Sequence, residues 1–258
     1  MSVNTVSKRI LSRTGYLNDQ QGILSRYLRE QEEWGTHLQN TQKFIISAVE
    51  DSDAASIAIL GSGWCLDVPV EFLVKNFERV YLVDLWHPQS VKHKLNKFEN
   101  VSFISADMTG GLIQLAYNEI KKKTDLSTLL ERIHDRPAWS LPVIAEYVVS
   151  VNVLNQLDIL IVDYIKSKLK SSNSVFLPLR KKIQQDHLYL MQAGRSCMIS
   201  DYEERQVDKT GRVVQKTRSL FIDFPEEKIQ KKWCWKFDNC RSYHPKYNTE
   251  LQVLAAKF

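Results

Sequence analysis

Between residues 56 and 111 the apolar positions fall in short unbroken runs, and each run stops at a turn or near an acidic residue. Residues 57–60 are aliphatic throughout, the pattern of a strand buried on both faces of a parallel sheet. Gly61, Ser62 and Gly63 follow at once, and the two residues without a Cβ permit a sharp turn and a close approach of backbone to a ligand. Residues 67–77 read as a helix, 80–83 as a second strand closed by Asp84, 88–97 as a helix, and 101–105 as a third strand with Asp107 just past it. Helices at 112–123 and 125–134, a strand at 147–151 and helices at 154–170 and 181–193 continue the alternation. The gap from Asp107 to Tyr147 exceeds what a crossover needs, so the 125–134 helix is an insertion or a stretched crossover, with Pro137 and Pro142 at its end.

The two flanks carry other periods. Residues 1–15 are polar and read as loose. Ile23, Leu24, Tyr27, Leu28, Trp34 and Leu38 recur mostly at three- and four-residue intervals from Asn18 onward, which describes an amphipathic helix, and 41–49 forms a second. Beyond Gly194, residues 196–200 read as a fifth parallel strand ending at Asp201-Tyr202-Glu203-Glu204, while 213–221, 232–237 and 251–257 alternate like shorter strands. Trp233 and Trp235 lie within one of these and are expected on opposite faces.

Composition narrows the class. At 258 residues and 43% hydrophobic, the chain has material for one full core and a small appendage. No run approaches the roughly 18–20 apolar residues that a membrane span needs, and no apolar segment follows Lys8 and Arg9, so a cytoplasmic protein with no membrane partner is expected. Cys65, Cys197, Cys234 and Cys240 lie apart with no C-x-x-C pair, so reduced thiols and no metal are expected. The net charge of +5 is mild, and the basic runs 121–123 and 180–182 are not interleaved with the aromatic residues a base-stacking surface uses. Nucleic acid stays open as a partner, and a small molecule is favoured.

The chemistry concentrates at strand ends, because ligands of open α/β sheets bind outside the carboxyl ends of the strands. Asp84 stands roughly 20 residues past the glycine loop, where such folds place the carboxylate that accepts from ribose hydroxyls. A dinucleotide fingerprint would place a third glycine at position 66, which is Leu, and Asp67 would repel a pyrophosphate near the helix start. Further candidates by position are Trp86 and His87 after the second strand, Asn152 and Gln156 after the fourth, and Asp201, Tyr202 and Glu203 after the fifth, with His187 beside them.

These residues resemble the class I S-adenosylmethionine-dependent methyltransferases, whose first motif is an apolar strand followed by G-x-G-x-G. The motif stands here as AILGSGWC, with Cys65 in place of the last glycine as a small side chain that leaves room for the methionine end of the cofactor. The resemblance covers about residues 50–165, including the strand-to-helix segment 146–157, and the C-terminal third only in outline. It implies an α/β, three-layer Rossmann-like fold: a seven-stranded, mostly parallel sheet whose antiparallel C-terminal hairpin inserts the last strand between the fifth and sixth, preceded by an N-terminal helical segment. Residues 1–50 would be a helical cap and 51–258 the catalytic domain. It implies S-adenosyl-L-methionine as cofactor, with Gly61, Ser62, Gly63, Asp67, Asp84, Leu85, Asp107, Met108 and Asn152 lining its site; Asp84 would take the ribose and Asp107 the adenine amino group. Asn152 and Tyr202 are the catalytic candidates, and Tyr16, Tyr27, Trp34 and His37 are candidates for the acceptor pocket beneath the leading helices. No Asn-Pro-Pro-Tyr motif follows the fourth strand. Two alternatives stand beside methyl transfer: an aminopropyl- or aminocarboxypropyl-transferring synthase on the same fold, with the G-S-G loop that distantly resembles nicotianamine synthases, and a non-catalytic binding protein.

Overall fold

The computed structural model describes residues 5–258. Three helices lead the chain: α1 (Lys8–Arg13), α2 (Tyr16–Arg29) and α3 (Gln31–Val49). The helix expected from residue 18 to 38 breaks at Glu30, whose φ of −113° leaves the helical region, and 41–49 continues its second half rather than standing alone. The leading segment expected to be loose contains α1, where the Ser7 hydroxyl accepts from the Ile10 N–H and Ile10 and Leu11 are buried. Residues 1–4 of that expectation lie outside the described part.

Strands and helices then alternate as β1 (Ser56–Leu60), α4 (Val70–Asn76), β2 (Arg79–Asp84), α5 (Gln89–Leu95), β3 (Val101–Ser105), α6 (Leu112–Lys121), α7 (Leu126–His134), β4 (Tyr147–Val151), α8 (Ile159–Lys168) and α9 (Leu177–Gln192). Pro69 caps α4, so Asp67 falls in the loop before that helix rather than in its first turn. The chain ends with β5 (Ser196–Val207), β6 (Val213–Arg218), β7 (Ile229–Asp238) and β8 (Asn248–Lys257). The strand order is β3-β2-β1-β4-β5-β8-β7. Strands β1 to β5 pair in parallel, and β8 enters antiparallel between β5 and β7. That is the inserted last strand the resemblance implies; to the seven-strand path the chain adds an eighth, β6, paired antiparallel with the far half of β5.

Burial on both faces explains the unbroken apolar runs. All five residues of β1 are buried. Ile57 and Ile59 pack with Trp34, Phe44, Leu73 and Val91 from α3, α4 and α5, whereas Ala58 and Leu60 pack with Ile113, Leu129, Ile161 and Ile183 from α6 to α9. Helices thus cover both sides of the sheet in three layers. Each fully buried aliphatic side chain contributes roughly 1.5–3 kcal/mol, and these central positions anchor the strand ends where ligands bind. Among the described residues no helix is long and apolar enough to cross a membrane.

Two local departures shape the far end of the sheet. The register of β5 against β8 shifts between Asp201 and Glu203, leaving Tyr202 as the extra residue of a bulge. Trp233 and Trp235 do not point to opposite faces: residues two apart on a strand share a face, and both rings meet His37, Trp233 through its indole N–H and Trp235 by stacking at 3.7 Å between centroids.

Gly61 sets how closely β1 and β4 can end together. Its φ is +80°, and a Cβ there would collide with Val153 Cγ2 and stand 2.6 Å from the Val151 carbonyl oxygen. Gly61→Ala is expected to lower unfolding free energy by about 2–4 kcal/mol, from overpacking plus the left-handed backbone; chemical denaturation measures this, and a loss within about 0.5 kcal/mol would show that the turn is free to relax.

Candidate functional site

The sheet reverses its strand order at β1, with β2 on one side and β4 on the other, so their carboxyl ends diverge and leave a crevice. A cavity of about 390 Å³ opens there, roofed by one face of α2 through Tyr16, Asp19, Gln20, Ile23 and Arg26. Its volume falls within the range of small-molecule pockets.

The glycine loop forms the floor. Gly61 N–H donates to the Val83 carbonyl at 2.9 Å, and Gly63, with φ +25°, donates its N–H to Asp84 Oδ2 at 2.9 Å. The ends of β1 and β2 are thereby tied through the Asp84 carboxylate itself. Ser62 belongs to the wall, but its hydroxyl is shared with His87 Nε2 at 2.9 Å. Cys65 adopts φ +53°, the left-handed backbone that a glycine takes without strain. Burial, with Asp67 and Asp84 nearby, pushes its thiol up to about 12, so it is a poor nucleophile.

Both aspartates at the ends of β2 and β3 line this one cavity, together with Leu85 and Met108. Their situations differ. Burial lifts Asp84 to about 6, against the backbone N–H groups of Gly63, Trp86 and Leu85. Asp107 is also raised by burial, but its own loop holds it: Oδ1 accepts from the Thr109 N–H at 2.9 Å and the Thr109 hydroxyl at 2.5 Å, and Oδ2 accepts from the Ile113 N–H at 3.4 Å. Three of the roughly four lone-pair sites of a carboxylate are used in ordering the turn into α6.

A third buried acid lies at the other end of the loop. Asp67, lifted to about 6 by burial, accepts from Asn152 Nδ2 at 2.9 Å. Asn152 follows β4 with φ +52°, a conformation that Asn tolerates better than most residues. His37 is held neutral, its pKa driven down to about 3 by burial. Its Nδ1 accepts from the Trp233 indole N–H at 3.1 Å, so the ring proton sits on Nε2. The 3.4 Å approach of that nitrogen to Asn152 Nδ2 sets two donors side by side and is a packing contact. Asp67 therefore fixes the amide, and Asn152 Oδ1 is left buried without a partner among the described residues.

Beyond Asn152 the wall is built by β5, β6 and the β7–β8 connection. The bulge at Tyr202 brings Asp201 and Glu204 to the cavity and leaves Tyr202 and Glu203 outside it. Burial lifts Asp201 to about 6. Arg26 lies over the rings of Phe237 and Tyr243, at 4.5 and 5.5 Å from their centroids, while Arg180 pairs with Asp158 at 3.3 Å. Six carboxylates, from Asp19, Asp67, Asp84, Asp107, Asp201 and Glu204, share the lining with the guanidiniums of Arg26, Arg180 and Arg218.

Of the residues chosen from sequence, Gly61, Ser62, Gly63, Asp67, Asp84, Leu85, Asp107, Met108, Asn152, Gln156 and Asp201 come together here, as do Tyr16, Trp34 and His37. Tyr202 does not: its ring lies under Lys232, with the ammonium 5.5 Å from the centroid. Tyr27, Trp86, His87 and His187 also stand outside, with His187 bonded to Ser150 at 2.8 Å. Sequence reasoning missed Asp19, Gln20 and Arg26; with Tyr16 and Ile23 they recur at three- and four-residue spacing along α2, and that periodicity was the available signal.

No protein-family model matches the chain, and no curated protein matches it. Among solved structures it is similar to the 1,6-didemethyltoxoflavin N1-methyltransferase of Burkholderia thailandensis, crystallised with 1,6-didemethyltoxoflavin and S-adenosylhomocysteine, at 10% identity and a TM-score of 0.43 over 100% of this chain and 92% of that one. It is also similar to the N-methyltransferase NodS of Bradyrhizobium japonicum WM9 (9% identity, TM-score 0.36, 84% of this chain and 94% of that one) and to a methyltransferase of Listeria monocytogenes described as S-adenosylmethionine dependent (12%, 0.36, 87% and 100%). At these identities and scores the likenesses say nothing about what this chain binds.

Because burial raises Asp84 above its unfolded value, the folded state keeps its proton to higher pH than the unfolded state does. This group therefore costs stability increasingly as pH rises from about 4 to about 6, and fully above that. The stability difference between Asp84→Asn and the parent is expected to move by about 1–3 kcal/mol in the variant's favour between pH 4 and pH 8. Urea titrations across that range give the slope; a constant difference would mean that Asp84 is not desolvated.

Proposed function

We propose that the cavity binds S-adenosylmethionine and that the protein transfers the donor's methyl group to a small-molecule acceptor. The observation that carries this is the Asp84 carboxylate, pinned by Gly63 N–H at the point where the strand order reverses and facing a cavity rich in buried acids. Three buried carboxylates pushed up to about 6 are costly to ionise alone, and a sulfonium cation offsets that cost.

In this reading Asp84 accepts from the ribose, Gly61 to Gly63 lie under the chain that links ribose to methionine, and Leu85 and Met108 flank the adenine. Asp107 orders the adenine end chiefly through its loop, with one lone pair left over. Asp67, its amide partner fixed, faces the donor's ammonium group, and Asn152 Oδ1 accepts from an N–H or O–H beside the transferable methyl. The bound cofactor supplies a methyl group on a positively charged sulfur. The protein's residues hold an acceptor lone pair in line with that bond, and alignment of this kind lowers barriers by about 7–11 kcal/mol in favourable systems. A hydroxyl acceptor would also need a base, and we assign that role to Asp201 on the far wall.

Calorimetry with S-adenosylhomocysteine tests the reading. Saturable binding is expected, weakened by about 1–3 kcal/mol in Asp84→Ala through loss of charge-assisted hydrogen bonds; folded protein that binds nothing at millimolar ligand would remove the proposal. Product analysis separates methyl transfer, which leaves S-adenosylhomocysteine, from aminopropyl transfer, which leaves methylthioadenosine.

A pH series adds a third measurement. The cation prefers ionised Asp67, Asp84 and Asp201, so affinity for S-adenosylmethionine is expected to be full above about pH 7 and to fall as pH drops through about 6, with proton release on binding near pH 6. Equal affinity at pH 5 and pH 8 would show that these acids do not meet the ligand.

A further inference from the structure

The roof of the cavity holds a polar group that the assignments above do not use. Gln20 sits in the second turn of α2, and its backbone carbonyl accepts from the Trp64 indole N–H at 2.8 Å, which fixes this turn of the helix above the glycine loop. Its side-chain Oε1 is buried and has no hydrogen-bond partner among the described residues. A point in space relates it to Asp84: the position a Cβ on Gly63 would occupy lies 3.3 Å from Gln20 Oε1 and 3.3 Å from Asp84 Oδ2. Two acceptor oxygens, one from the roof and one from the sheet, thus converge on Gly63, where any side chain would crowd both.

An ionised carboxylate only accepts hydrogen bonds, whereas a primary amide both accepts and donates. A vicinal diol presents two O–H donors and two acceptor oxygens, so this pair satisfies it better than a carboxylate alone. We propose that Gln20 is a second ribose-binding residue, its amide holding one hydroxyl of the diol whose other hydroxyl is held by Asp84, so that the leading helix is part of the donor site. The inference rests on the cofactor reading above. It also accounts for the buried, unpaired oxygen, a state that is unfavourable without a ligand to complete it.

The test compares S-adenosylhomocysteine with its 2′-deoxy and 3′-deoxy forms on the parent protein, Gln20→Leu and Asp84→Ala, with thermal denaturation to check folding. The parent is expected to prefer the full ribose by about tenfold over each deoxy form. Gln20→Leu should lose that preference for one hydroxyl and Asp84→Ala for the other. Gln20→Leu binding all three ligands as the parent does would overturn the proposal. So would an equal loss for all three, because that marks a helix displaced rather than a hydroxyl unbound. A folded parent that fails to bind S-adenosylhomocysteine removes the cofactor reading and this inference with it, whereas normal parental binding with no hydroxyl-specific effect in Gln20→Leu removes this inference alone.

Discussion

A backbone amide and a carboxylate organise the centre of this molecule. The Gly63 N–H donates to Asp84 at 2.9 Å, joining the turn after β1 to the last residue of β2. The bond needs Gly63, because its φ is positive and because a Cβ would stand 3.3 Å from both Asp84 and Gln20. It needs Gly61, whose turn lets the loop pass against Val151 and Val153. It also needs a rigid sheet, which the fully buried run of β1 supplies through helices packed on both faces.

That arrangement has an electrostatic consequence. Desolvation works against each buried acid around the cavity, and hydrogen bonds from Gly63, Asn152 and Ser219 only partly offset it at Asp84, Asp67 and Asp201. The free protein carries charge that it cannot solvate well, a state that fits a cationic ligand better than an anionic one. The same logic explains why Asp107 differs from Asp84. Three donors from its own loop hold it, so its first task is to shape the turn that leads into α6.

The sequence showed the parts of this site that depend on strands. An apolar run closed by glycines or an acid has few structural readings, and the ends of β1, β2 and β3 stand where those runs predict. The roof was not legible in the same way, because Asp19, Gln20 and Arg26 look like the solvated face of a surface helix until a cavity is seen beneath them. The bulge in β5 was hidden too. Strict alternation groups Asp201 with Glu203, and one unpaired residue, Tyr202, groups it with Glu204 instead. The far half of β5 escaped notice because its residues from Asp201 to Gln206 are mostly polar, as expected for a strand that turns from the core to a cavity wall and a solvent-facing hairpin.

In the proposed reading, one adenosine lies between the Gly63 turn and the Asp84 carboxylate, with its sulfur directed toward Asn152. A crystal structure of the protein grown with S-adenosylhomocysteine tests this most directly. The expected result is a ribose hydroxyl at hydrogen-bonding distance from Asp84, with the amino-acid end running along Gly61 to Gly63 toward Asp67. A ligand bound elsewhere, or one lying in the cavity with no contact to Asp84, would contradict it.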